Sequence, residues 1–344
     1  MKAIVKFAKG YGNLEIRDVP RPNIKDNEVL IEIKAAGICG TDLHHYEVGD
    51  NITIPVILGH EFSGDIVEIG KMVKGWKQGD RVVSETHAHI CNACYLCKAG
   101  DYHLCKERKG FGSGVDGAFT QYLAVPTRLL HQIPDSFSYP EATILQPAAD
   151  IVHAVITNTQ MKAGDTVVVL GPGPMGLLTV EVSRAIGAGQ VIIVGLDEDK
   201  ERLEIAERVG ADVIINSSKE NVMERVNELT RGRGADVVFE VSGAKTAFLQ
   251  GLEMLAQKGQ MTIIGVHTQI AEIGVRPFQR AEKTLRGSTM STWLDYEKAI
   301  QLTKSGRLQL KPLITDVLPI TEWRKGFDLA LARKACKVIF TPVG

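Results

Sequence analysis

The segment Gly171-Pro-Gly-Pro-Met-Gly176 constrains the fold of this chain more than any other feature of its sequence. The apolar run Thr166 to Leu170 before it is typical of a buried strand, and Met175 to Ile186 after it is typical of a helix. A second strand-like run, Val191 to Val194, comes next, and similar runs alternate with amphipathic stretches to about residue 286. Alternation of this kind predicts a doubly wound parallel sheet, which is an α/β architecture.

The residues of this segment have separate roles at a junction between strand and helix. Gly171 permits the tight turn, Gly173 lets the backbone approach a pyrophosphate, and Gly176 lets the helix pack closely on the strand. With Pro174 and Met175 they open the helix, whose first N–H groups bind phosphate. We therefore predict that this region forms a Rossmann domain that binds a nicotinamide or flavin dinucleotide.

The residues after the second strand bear on the choice of cofactor. An acidic residue usually accepts the ribose hydroxyls there, but Gly195 stands first and the acid arrives later, as Asp197. Lys200 and Arg202 could attract a 2′-phosphate, or they belong to the solvated face of the next helix. We predict that NAD is bound through Asp197, with NADP as the alternative.

The sequence before about Val125 has a different pattern. Short β-branched runs lie between turn residues, as in Val29 to Lys34, Ile66 to Ile69 and Arg81 to Ser84. This pattern predicts a mostly β domain.

Length, charge and hydropathy bound the class of protein. At 344 residues the chain exceeds the usual single-domain size, which favours two domains. A formal net charge of −1 gives no basic surface for nucleic acid or a membrane. No apolar stretch approaches about 20 residues, and the start from Met1 to Lys6 lacks the features of a secretion signal. We predict a cytoplasmic protein that binds neither nucleic acid nor a membrane.

Four of the six cysteines lie close together, at Cys91, Cys94, Cys97 and Cys105. This spacing lets four thiolates surround Zn²⁺ or, alternatively, an iron–sulfur cluster. Because four sulfur ligands leave no open coordination position, we predict a structural site. The alternative is four unrelated thiols or two disulfides, which the lack of a secretion signal disfavours.

Two further segments, Gly37-Ile-Cys-Gly-Thr-Asp42 and Gly59-His-Glu-Phe-Ser-Gly64, resemble the catalytic zinc motifs of the zinc-dependent medium-chain dehydrogenases. That family includes alcohol, polyol, butanediol and threonine dehydrogenases. The similarity continues through Gly79-Asp-Arg-Val82, the four cysteines, Gly117 to Tyr122 and the glycine-rich segment. It implies a GroES-like, mostly β catalytic domain over residues 1–149 and 287–344, with two zinc sites. The Rossmann domain would be inserted as residues 150–286, with the active site in the cleft.

The resemblance also implies a catalytic zinc held by Cys39, His60 and Glu61. A thiolate, a neutral imidazole and a carboxylate are suitable ligands, and they leave a position for water or a substrate oxygen. Zinc in such a site makes hydride transfer to nicotinamide feasible at neutral pH.

Other residues match the positions around that zinc. Thr41 resembles the hydroxyl that accepts the substrate proton, and His44 would pass the proton towards solvent. Asp42 fits the role of holding the imidazole of His60 in the required tautomer. The resemblance alone implies a further set of residues near the nicotinamide. These are Val241, Gly265 and Val266, at the ends of strands that face it.

One position departs from the family pattern. An acidic residue usually precedes Pro147, and here that residue is Gln146. An amide is a poorer ligand and carries no charge, so we expect Gln146 to orient the zinc-bound water or to bind weakly through oxygen. The alternative is that only the structural zinc is bound.

The segment Asp42 to Glu47 looks more like the polyol, butanediol and threonine branch than the ethanol branch. We predict oxidation of a secondary alcohol in a polyol such as sorbitol, with L-threonine 3-dehydrogenase or 2,3-butanediol dehydrogenase as alternatives. A zinc-stabilised nucleotide-binding sensor is the non-enzymatic alternative. The family resemblance further implies a homodimer or homotetramer.

Overall fold

The computed structural model describes residues 1–342 and divides into two units. Unit 1 comprises Met1–Pro147, Ser291–Ile300 and the chain from Ile314, and unit 2 comprises Ala148–Met290 and Gln301–Leu313. The domain boundaries predicted from the sequence, 149/150 and 286/287, remain a prediction. Residues 343 and 344, which were assigned to the catalytic domain, lie outside the described residues.

The strands, in chain order, are β1 (Lys2–Lys6), β2 (Leu14–Asp18), β3 (Glu28–Gly37), β4 (Val56–Ile57), β5 (Glu61–Ile69), β6 (Arg81–Ser84), β7 (Tyr122–Pro126), β8 (Leu130–Gln132), β9 (Thr166–Leu170), β10 (Gln190–Gly195), β11 (Val213–Asn216), β12 (Ala235–Glu240), β13 (Leu255–Ile263), β14 (Thr284–Gly287), β15 (Ile314–Pro319) and β16 (Lys337–Thr341).

The α-helices are α1 (Gly40–Glu47), α2 (Tyr95–Ala99), α3 (Tyr139–Thr143), α4 (Leu145–Val152), α5 (Pro174–Ala185), α6 (Lys200–Arg208), α7 (Val222–Leu229), α8 (Lys245–Glu253), α9 (Val275–Ala281), α10 (Trp293–Lys304) and α11 (Trp323–Leu331). None of the helices described within residues 1–342 is long and apolar enough to cross a membrane.

Unit 1 is built around the long strand β3. A seven-stranded sheet has the order β15-β16-β3-β5-β6-β8, with β7 also paired to β3, and a smaller sheet has the order β2-β1-β4. Gly64 on β5 crosses β3 so closely that a Cβ atom there would lie 2.1 Å from the carbonyl oxygen of Glu32, so only glycine fits. The mostly β domain predicted from the short β-branched runs is confirmed.

Unit 2 contains a six-stranded sheet in the order β11-β10-β9-β12-β13-β14, and all of its strand pairs are parallel. Its central strand β9 is buried along its whole length, as a strand covered by helices on both faces must be. The predicted doubly wound sheet is confirmed. The carboxyl ends of β9, β10, β12 and β13 therefore share one edge, where open α/β sheets bind their ligands.

Candidate active site

Strand pairing in unit 1 brings the two zinc-like motifs together. β3 pairs antiparallel with β5, and the register sets Gly37 opposite Glu61. Cys39 follows β3 and caps α1, while His60 immediately precedes β5. One potential ligand atom each from Cys39, His60 and Glu61 lies within 4.8 Å of the others. The three side chains predicted to hold a catalytic zinc therefore converge.

Asp42 fixes the backbone on both sides of this cluster. Its buried carboxylate accepts hydrogen bonds from the N–H of Cys39 at 2.9 Å and from the N–H of Gly59 at 3.1 Å. Its oxygen also lies 3.8 Å from Nδ1 of His60. Asp42 thus orients the segments that carry Cys39 and His60, and its role in holding the imidazole in one tautomer stays a prediction.

Sequence reasoning missed Lys337, which lies on β16. Its ammonium donates to both carboxylate oxygens of Glu61, at 2.7 and 2.6 Å, and to the carbonyl oxygen of Ile38 at 3.0 Å. Burial lowers the pKa of Lys337, but the negative groups of Glu61 and Cys39 outweigh it and raise that pKa above its usual value. The ion pair is formed by residues 276 positions apart, so no local motif could have indicated it.

The donor set fits a metal cation. Burial lowers the pKa of His60, but the surrounding Asp42 and Cys39 raise it further, to about 10. The negative groups around the imidazole therefore favour its protonated form. They would attract a divalent cation in the same way. Sulfur, nitrogen and oxygen donors of this kind are those that zinc accepts at an open site.

Both residues of the predicted proton path, Thr41 and His44, are exposed. The hydroxyl of Thr41 lies 3.9 Å from the sulfur of Cys39, and both Thr41 and His44 belong to α1. Nε2 of His44 lies 2.6 Å from a carboxylate oxygen of Asp50, and both side chains are exposed. Gln146 is a buried residue of α4.

The four clustered cysteines form a second group, whose sulfur atoms all lie within 4.8 Å of one another. Sulfur separations such as 3.6 Å between Cys105 and Cys91 are far longer than the roughly 2.0 Å of a disulfide. The N–H groups of Ala93 and Cys94 lower the pKa of Cys91 to about 6, whereas burial and the neighbouring thiols raise that of Cys97 to about 12. Because metal-bound cysteines are thiolates, a divalent cation at this position would favour deprotonation of the clustered thiols.

The glycine-rich segment of unit 2 has the geometry that its sequence predicts. Gly171 has φ of +111°, and a Cβ atom on Gly176 would lie 1.9 Å from the carbonyl oxygen of Gly171. Gly173 caps α5, and nothing lies within 4 Å of the position where its Cβ would stand. The backbone at the helix N-terminus is therefore open to a phosphate group, with Pro174 and Met175 in the first turn.

Asp197 follows β10 at the same edge of the sheet. Its carboxylate accepts a hydrogen bond from the amide of Asn216 at 3.1 Å and forms an ion pair with Lys219. These contacts, led by that of Lys219, lower the pKa of Asp197. Lys200 and Arg202 belong to α6, and Arg202 lies 3.8 Å from Asp199.

Comparison with known proteins adds to this geometry. The alcohol dehydrogenase GroES-like domain matches residues 25–135, and the zinc-binding dehydrogenase domain matches residues 174–305. A sorbitol dehydrogenase of Halalkalibacterium halodurans is 40% identical over 344 residues, which are all of both chains. The chain belongs to the zinc-dependent medium-chain dehydrogenase family. The GroES-like fold and the oxidoreductase class expected from the resemblance are confirmed.

Two more members of the family illustrate its range. An L-threonine 3-dehydrogenase of Bacillus velezensis is 36% identical over 351 residues, covering 99% of each chain. A zinc-binding dehydrogenase of Sinorhizobium meliloti, whose crystal structure contains NADP, is 30% identical, with a TM-score of 0.92 and 99% of each chain covered. As a zinc-dependent medium-chain dehydrogenase, this chain uses zinc and a nicotinamide dinucleotide as cofactors.

Proposed function

We propose that this dehydrogenase interconverts a secondary alcohol of a polyol such as sorbitol and the corresponding ketone, by hydride transfer to and from NAD. The observation that carries the proposal is the similarity to sorbitol dehydrogenase, at 40% identity from end to end. The converging side chains of Cys39, His60 and Glu61 support it, because this donor set leaves room for a substrate oxygen.

The proposed roles of the residues are those that the family resemblance implies, and their positions support these roles. Cys39, His60 and Glu61 would hold the catalytic zinc, which when bound polarises the substrate oxygen. The hydroxyl of Thr41, beside Cys39, takes the proton from the substrate alcohol. The exposed imidazole of His44 passes the proton to solvent, oriented by its contact with Asp50.

Two residues adjust the zinc site without supplying the proton path. Lys337 offsets the charge of Glu61 and competes with a metal for its oxygens. Gln146 replaces the usual acid, and we propose that it orients the zinc-bound water or binds weakly through its oxygen. The clustered Cys91, Cys94, Cys97 and Cys105 would hold a structural zinc.

The cofactor half of the site lies in unit 2. We propose that Gly171, Gly173 and Gly176 receive the pyrophosphate and that Asp197 accepts the ribose hydroxyls, which favours NAD. NADP is the alternative, since the Lys219 beside Asp197 offsets its charge. The nicotinamide would face Val241, Gly265 and Val266 at the ends of β12 and β13.

The second candidate substrate is threonine, favoured by the 36% identity to a threonine dehydrogenase. A panel of sorbitol, xylitol, 2,3-butanediol and L-threonine, each assayed with NAD and with NADP, separates the candidates. We expect the highest kcat/KM with a polyol and NAD. Oxidation of threonine alone would eliminate the polyol proposal.

The assembly and the cellular location belong to the same proposal. We propose a homodimer or homotetramer, and light scattering on the purified protein measures its mass directly. A monomer would contradict this proposal. The cytoplasmic location remains a prediction.

A further inference from the structure

Glu240 is the last residue of β12, and its side chain is fully buried. Its carboxylate accepts hydrogen bonds from the N–H of Ser242 at 2.9 Å, from the N–H of Gly243 at 3.0 Å and from the hydroxyl of Ser242. Its other oxygen lies 2.6 Å from Nε2 of His267. A buried carboxylate is tolerated when its oxygens are hydrogen-bonded in this way.

These partners lie on two different loops. Ser242 and Gly243 follow β12, whereas His267 follows β13, so one side chain joins the loops after two neighbouring strands. The backbone supports the same junction, because the carbonyl oxygen of Glu240 accepts from the N–H of Ile264 at 2.8 Å and of Gly265 at 3.0 Å.

The junction lies at the edge of the sheet where the cofactor is expected. Ser242 packs against the glycine turn after β9, so that a Cβ atom on Gly171 would come within 2.9 Å of the Ser242 side chain. A Cβ atom on Gly243 would lie 2.5 Å from the carbonyl oxygen of Val266. The two loops joined by Glu240 thus carry the residues proposed to face the nicotinamide.

The loop after β13 has few side-chain anchors of its own. Val266 is 87% exposed, so burial of its side chain does not hold the loop. His267 provides the anchor, through its contact with Glu240 and an edge-on contact with the ring of Phe248, with ring centres 5.6 Å apart. Glutamine at position 240 would have one acceptor oxygen where the carboxylate has two, and it carries no charge to strengthen the contact with His267, so it would hold the second loop less well.

We propose that Glu240 is a positioning residue that sets both loops for the nicotinamide half of the cofactor, with His267 as its anchor on the second loop. This inference rests on the proposed NAD-dependent function. Because the pyrophosphate and the adenosine are proposed to bind at β9 and β10, loss of the junction weakens binding of the nicotinamide half most.

The test compares NADH with ADP-ribose, which lacks the nicotinamide, by calorimetric titration of the zinc-loaded protein. For Glu240→Gln we expect the Kd of NADH to rise about tenfold and that of ADP-ribose to stay within about twofold. Asp236→Asn is the matched control, because Asp236 lies on the same strand and accepts from the N–H of Thr166 at 2.8 Å, at the opposite edge of the sheet. It should leave the ratio of the two Kd values unchanged.

A second pair of variants keeps the test decisive if Glu240→Gln does not fold. His267→Ala should raise the Kd of NADH and the KM for NAD, whereas His267→Asn, which keeps a donor, should recover part of the loss. Equal weakening of both ligands, or unchanged NADH binding in these variants, would overturn the role of Glu240. A parent protein that binds neither ligand would instead defeat the proposed function.

Discussion

Glu61 is the residue at which the chemistry of the candidate zinc site is most finely balanced. Its carboxylate is buried between a lysine ammonium and the thiol and imidazole of the other proposed ligands. A buried carboxylate needs a positive partner, and here Lys337 and a metal would each serve. The lysine therefore stabilises the pocket without metal and competes with a metal for the carboxylate oxygens of Glu61.

This balance predicts the behaviour of Lys337→Met. Removal of the ammonium leaves Glu61 buried without a cation, so we expect the free energy of unfolding to fall by about 3 kcal/mol in metal-free protein. The loss should be clearly smaller in zinc-loaded protein, because the metal replaces the missing partner. Urea unfolding of the parent and the variant, with and without zinc, measures both differences.

Lys2 forms an exposed ion pair with Asp18 at 2.7 Å and provides the matched control for that experiment. Lys2→Met should change the free energy of unfolding by less than about 1 kcal/mol in either condition, as loss of an exposed ion pair does. Equal destabilisation by Lys337→Met with and without zinc would show that Glu61 does not reach the metal.

Gln146 supports a second prediction at the residue scale. Gln146→Glu adds a carboxylate where the family usually has one, so we expect zinc to bind the catalytic site about tenfold more tightly. Metal analysis after dialysis against graded chelator concentrations, together with the rate of alcohol oxidation, measures the effect. Equal zinc content and equal rate in the two proteins would remove Gln146 from the mechanism.

At the scale of elements, the junction from β9 to α5 separates two kinds of glycine. Gly176 is required by packing, because any side chain there would collide with the carbonyl oxygen of Gly171. Gly173 has an ordinary extended backbone with φ of −67° and open space around it, so the fold itself does not require glycine at that position. Its requirement comes from the cofactor.

The two glycines therefore predict opposite results. Gly176→Ala should lower the free energy of unfolding by about 1–3 kcal/mol through overpacking. Gly173→Ala should keep that free energy within about 0.5 kcal/mol and weaken NADH binding by steric contact with the pyrophosphate. Thermal unfolding and NADH titration of both variants check this. Normal NADH binding by a folded Gly173→Ala protein would show that the pyrophosphate binds elsewhere.

How much the sequence could predict depends on how far apart the contacting residues lie. The glycine junction and the four-cysteine cluster were predictable because their residues are close in sequence. The contacts of Lys337 and of Glu240 were not, because they depend on which strands become neighbours: β16 beside β3, and β12 beside β13. The hydrogen bonds from two backbone N–H groups to Asp42 were not predictable either, because they depend on how the chain brings Cys39 and Gly59 together.

At the scale of the whole molecule, each of the two units is built from segments that are not continuous in the chain. Helix α10 starts in unit 1 and ends in unit 2, and the segment Gln301–Leu313 packs within unit 2. Glu181 of α5 holds that segment, since its carboxylate accepts from the N–H of Gln309 at 3.0 Å.

The attachment of this segment predicts how stability depends on pH. Burial raises the pKa of Glu181 to about 8, since its second oxygen is buried without a hydrogen-bond partner, whereas an unfolded chain has an ordinary glutamate. The folded protein thus holds the proton of Glu181 more tightly than the unfolded chain does. The contribution of Glu181 to stability is therefore fully present below about pH 4.5 and is lost as the pH rises towards 8.

Glu181→Gln keeps the shape of the side chain and removes its charge. We expect the free energy of unfolding of this variant to exceed that of the parent by about 1–2 kcal/mol at pH 8.5 and to equal it at pH 5. Urea unfolding at pH 5, 7 and 8.5 measures the difference, and parallel pH profiles of the two proteins would mean that Glu181 is already ionised in the folded state.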